Sequence, residues 1–98
     1  MEENIEYESV IIVRPEVVEN EKKLEELKNK YVNLINNNGK VTNYENLGIK
    51  MLAYEIQKQK TGLYIVINFE SKRDFIAELE RNYRIDDNVM KFIVVKKF

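Results

Sequence analysis

The sequence predicts an α+β domain in which four strands form one antiparallel sheet and two helices pack on one of its faces. Three observations predict it: a β-α-β-β-α-β order of hydrophobic periodicities, two strands richer in apolar residues than the others, and a length of 98 residues that suits one core and not two. Residues 1–98 are accordingly read as one domain.

Ile5 to Val13 alternates and then fills with β-branched residues, the pattern of a strand covered on both faces. Arg14-Pro15 ends it, because proline has no N–H for a ladder. From about Val18 to Asn37 the period becomes helical, with Leu24, Leu27, Tyr31, Leu34 and Ile35 on one stripe. The run Asn36-Asn37-Asn38-Gly39 reads as its stop, with Gly39 free to take a positive φ. Lys40 to Ile56 reads as a second strand with a bulge or bend at Gly48, followed by a basic hairpin loop from Gln57 to Gly62. Leu63 to Phe69 is a third, dense strand. Ser71 reads as the cap of a second helix, with Asp74 three residues on, and Phe75, Ile76, Leu79 and Tyr83 share its inner face. Arg84 to Asn88 leads out, and Val89 to Lys97 is the last strand.

Right-handed crossovers fold two such split units into a ferredoxin-like sheet whose first and third strands are central. Those are also the most apolar strands, so pattern and topology agree. Alternation then sorts the side chains. Tyr7, Ser9, Ile11 and Val13, Ile65, Ile67 and Phe69, and Phe92 and Val94 are assigned to the core. Val10, Ile12, Tyr64, Val66 and Ile93 are left on the outer face, where they would make an apolar patch of the kind that monomers seldom leave bare. We read that patch as a protein interface with a basic edge at Lys91.

Composition narrows the chemistry. There is no cysteine and no histidine, which removes disulfides, thiolate metal sites, the usual zinc ligand and the usual general base. No metal, cofactor or small-molecule substrate is expected. No segment has the apolar length of a membrane span, and the acidic start Met1-Glu2-Glu3-Asn4 is unlike an export signal, so a cytoplasmic setting is expected. Sixteen Lys and Arg against 17 Asp and Glu give a formal net charge of −1, which argues against tight RNA binding by this chain alone but not against RNA binding beside a basic partner.

Catalytic signatures are not found. The loop Arg14-Pro15-Glu16-Val17 lacks the glycines and converging N–H groups of a phosphate cradle. The acid pairs Glu25-Glu26 and Asp86-Asp87 read as solvated charge. Thr61-Gly62-Leu63-Tyr64-Ile65-Val66 keeps only one glycine and one aromatic of the RNA-recognition-motif signature.

Four stretches together resemble the bacterial small-subunit ribosomal protein S-six family. They are Tyr7-Glu8 with Arg14-Pro15, Leu47 to Ile56 (LGIKMLAYEI), Gly62-Leu63-Tyr64, and Arg84 to Val89 running on to Val94-Val95-Lys96. The resemblance implies a structural, non-enzymatic protein of the ribosome that binds small-subunit ribosomal RNA of the central domain, or platform, together with the small basic ribosomal protein S-eighteen. The partner would supply the missing basic charge and cover the open patch. Carried onto this chain, the resemblance points to Tyr7, Arg84, Lys91 and Lys96 as RNA contacts. It departs from the usual family pattern at Ile5-Glu6, Met51 and Met90, where basic residues are common. The other reading kept open is a free-standing regulatory domain that homodimerises through its open sheet face.

Overall fold

The computed structural model describes residues 4–97; the acidic start at Met1 to Glu3 lies outside them. Strand β1 spans Ile5–Val13, and a 3₁₀ turn over Pro15–Glu19 leads to helix α1, Glu21–Asn36. The hairpin strands β2, Gly39–Ile56, and β3, Gln59–Ser71, follow. Helix α2 covers Phe75–Ile85 and strand β4 Val89–Lys96. The sheet order is β2-β3-β1-β4, antiparallel throughout, so the two most apolar strands are central, as their composition requires.

The core lies between the sheet and both helices. Ile11, Val13, Leu63, Ile65, Ile67 and Phe69 meet Leu27, Tyr31 and Ile35 of α1 and Phe75, Leu79 and Tyr83 of α2. Aromatic rings run through it: Phe69 stacks on Tyr7 at 5.6 Å, and Tyr83 sits 4.7 Å from Tyr31 and 5.5 Å from Phe92. Burying a tyrosine or serine hydroxyl costs stability unless it is paired. Ser9 Oγ and Tyr83 Oη satisfy each other at 2.8 Å in the middle of this core.

Several local expectations change. Helix α1 begins at Glu21 because Asn20 caps it, its Oδ1 accepting from the N–H groups of Lys22 and Lys23 at 3.1 and 3.2 Å. Proline and that cap divide the predicted helix start into a separate turn. Gly39 is needed for space and not for a positive φ: a Cβ there would lie 2.1 Å from the Glu70 carbonyl oxygen. Gly48 does take φ +85° at a register shift, the expected bulge. The hairpin loop shrinks to Gln57 and Lys58, both with positive φ (50° and 65°), a mirror-image turn that matches strand twist without the usual glycine. Ser71 does not cap α2. It pairs with Ile5 and Gly39 as the last residue of β3, fully buried, and its Oγ donates to the Lys72 carbonyl at 3.0 Å.

Asp86 is the other correction. It is not solvated charge, since its side chain is only 7% exposed. Oδ2 accepts from Tyr31 Oη at 2.5 Å and Lys30 Nζ at 3.2 Å, and Oδ1 from the Asn88 N–H at 2.9 Å. Burial acts to raise its pKa, but these donors outweigh it and hold the carboxyl below the ordinary aspartate range. A depressed folded-state pKa stabilises the fold above the unfolded value of about 4, and that contribution is lost as pH falls through the folded value. Asp86→Asn should therefore cost about 1–3 kcal/mol at neutral pH. In thermal melts across the acid range the gap to the parent should close on acidification; a gap independent of pH would contradict the charged role.

Candidate functional site

The face of the sheet away from the helices is built in rows by strand register. Across its middle run Glu45, Val66, Val10 and Ile93, one from each strand in sheet order. Beside it runs the row Gly48, Tyr64, Ile12 and Lys91. On the other side lie Asn43, Asn68, Glu8 and Val95, and beyond them Lys40, Glu70 and Glu6. All share the parity opposite to the buried set, so the expected division of side chains between faces is the one observed.

This face is apolar along its middle and charged at its two ends. Val10, Tyr64 and Val66 are half-buried, while Ile93 is 54% and Val95 45% exposed. One end carries Glu6, Glu8 and Glu70 against Lys40 and Lys97, the latter reaching Asn68 Oδ1 at 3.4 Å. The opposite end carries Lys91 and, across from Gly62, the exposed Lys50.

Ile12 needs a correction. It lies on this face but is only 8% exposed. The missing side chain of Gly62 lets Ile12 Cγ2, Met90 Cε and Leu52 Cδ2 converge, at 2.5, 3.1 and 3.5 Å from where a Cβ would stand. Leu52 comes from β2 and Met90 from β4, the two outer strands, so the hairpin bends inward over the end of the sheet. The register explains the bend: after Met51 pairs with Thr61, the next pair is Ile56 with Gln59, leaving 52–55 opposite Lys60 alone.

Two contacts pin the bent tip. Arg14 Nη2 donates to Gln57 Oε1 at 2.5 Å while its Nε donates to the Asp87 carbonyl at 2.9 Å. Lys91 Nζ donates to Tyr54 Oη at 2.7 Å, which raises the ammonium pKa by stabilising its charged form. Tyr54 itself is 62% exposed.

The four residues expected to meet RNA are not brought together. Tyr7 is 7% exposed in the core beneath the helices, because it shares parity with Ile11 and Val13; its ring is packed on Phe69 and is not a free stacking surface. Lys96 pairs with Tyr7 and so projects toward the same helix side. Arg84, in the last turn of α2, lies with its guanidinium 5.7 Å from the Phe92 ring. Only Lys91 faces the open side. Tyr54 and Arg14 were not singled out for this surface, since their partners are 37 and 43 or more positions away in sequence.

The family model for ribosomal protein S6 matches residues 6–96. The chain belongs to the ribosomal protein S6 family. It is 43% identical over 90 residues to the small ribosomal subunit protein bS6 of Helicobacter hepaticus, covering 92% of this chain and 65% of that relative. It is 37% identical over 92 residues to bS6 of Caldanaerobacter subterraneus, covering 92% and 94% of the two chains. The crystal structure of 30S ribosomal protein S6 from Thermotoga maritima superimposes with a TM-score of 0.89 at 31% identity, over 98% of this chain and 90% of that one. Family membership and fold class agree with the resemblance read from the four sequence stretches. The bent hairpin tip lies inside the matched S6 region, and so do the residues of the open face described above except Lys97.

Proposed function

We propose that this S6-family chain is a structural protein of the small ribosomal subunit, binding central-domain ribosomal RNA together with the basic protein S-eighteen, which covers the open sheet face. The observation that carries this reading is the graded face itself. An apolar band with a polar, charged rim is the composition of a protein interface, and the glutamate-rich end suits a basic partner by charge complementarity. The chain's net charge of −1 fits a protein that gains much of its RNA affinity from that partner.

The expected result is weak binding of an isolated central-domain RNA fragment, and tight, salt-sensitive binding once the basic partner is added. Equal affinity with and without the partner would overturn the cooperative reading. A tight homodimer in sedimentation that ignores the partner would replace it with self-association through the same face.

A further inference from the structure

We propose that the bent tip of the β2–β3 hairpin is the RNA-contacting arm of this chain, with Tyr54 as the platform for an unpaired base and Lys91 beside it for an adjoining phosphate. This rests on the reading of the chain as a ribosomal-RNA-binding protein, and names the part of it that meets the RNA. Sequence-tolerant binding of unpaired nucleotides combines aromatic rings that stack on bases with cations that follow the backbone. Both occur together here.

Residues 50–62 carry Lys50, Lys58 and Lys60 against the single acid Glu55, in a chain whose net charge is −1. All three lysines are exposed. Lys91 adds a fourth cation from the far edge of the sheet because the tip bends back to meet it. Tyr54 is held there in an open position. The ammonium of Lys91 is 2.7 Å from its oxygen but 5.3 Å from the ring centre, which places it near the line of the phenol C–O bond and off the ring faces. With 62% of the residue exposed, a ring face is available to a base.

The arm is also held in place before binding. Arg14 ties the tip to the α2–β4 turn through Gln57 and the Asp87 carbonyl, and Leu52 packs toward Ile12 over Gly62. Fixing the platform in advance reduces the ordering cost of binding. Charge separates this arm from the partner-covered region. Its cations would repel a basic protein and attract a polyanion, whereas the glutamate-rich end does the reverse.

The test uses the full chain, the basic partner and a central-domain RNA fragment, with affinity measured for the parent, Tyr54→Ala, Tyr54→Phe and a Lys50→Ala, Lys60→Ala double variant. Tyr54→Ala should weaken RNA binding about tenfold or more, the range of a lost base stack. Tyr54→Phe keeps the ring and should stay within about threefold of the parent, allowing for the lost bond to Lys91. The double lysine variant should flatten the salt dependence by about one unit of slope or more. Parent-like RNA binding by Tyr54→Ala would overturn the assignment, as would loss of partner binding by that variant without RNA. If the parent itself binds no RNA in the partner's presence, the underlying reading fails first, and the arm assignment with it.

Discussion

Leu79→Ala should lower the stability of the fold by about 2–5 kcal/mol, through lost apolar burial and the cavity left behind. Leu79 is completely buried on α2, between Phe75 and Tyr83 along the helix face that closes the core. The packed rings around it leave little room for collapse: Phe75 meets Phe69 edge-on at 6.4 Å, and Tyr83 is locked to Ser9 as well as to its aromatic neighbours. Domains of this size hold only about 5–15 kcal/mol in total, so the loss is a large share. Denaturant unfolding is the measurement, with the midpoint falling and the slope unchanged. Ile85→Ala, at the end of the same helix and 71% exposed, is the control and should stay within about 0.5 kcal/mol of the parent. A Leu79→Ala cost no larger than that control would contradict the placement of the core.

Val66→Asp should have the opposite profile. Val66 is central in the open face, paired with Val10 on one side and Glu45 on the other, and half-buried. In the free chain the new carboxylate reaches water, so the monomer should remain folded, with a modest cost from lost strand packing and proximity to Glu45. Beneath a docked partner the same carboxylate would be buried without a counter-ion, a penalty of several kcal/mol. At about 1.4 kcal/mol per factor of ten, partner binding should fall by about a hundredfold or more. If Val66→Asp unfolds the chain as thoroughly as Leu79→Ala, the open face stabilises the fold and is not an interface.

The division into faces was legible because period-2 alternation is local: Ile11 and Val13 go in, and Val10 goes out, on the evidence of their neighbours alone. The strand order was legible for a similar reason, since central strands need apolar residues on both sides. What the pattern concealed are features that depend on single polar groups or on distant partners. Asn20 looks like helix interior until its side chain is seen accepting two backbone N–H groups. Asp86 looks like a turn acid until Tyr31, 55 positions earlier, is seen to donate to it. Tyr7 carries a family resemblance, but its parity with Ile11 already places it in the core, and the structure follows the parity. The hairpin bend was the least legible. Nothing in residues 52–55 announces that four positions will face one, or that Tyr54 will cross the end of the sheet to Lys91.

That bend divides the open face into two regions with different work. The apolar band and its glutamates are assigned to a basic protein, and the lysine-rich tip with Tyr54 to RNA. Both assignments depend on the first, because a chain that never joins the subunit has no occasion to meet its RNA. Sedimentation with small ribosomal subunits, run in parallel for the parent and Val66→Asp, tests it most directly. The parent should travel with the subunit and Val66→Asp, still folded, should remain at the top of the gradient. Co-migration of both, or of neither, would contradict the open face as the surface through which this chain is held.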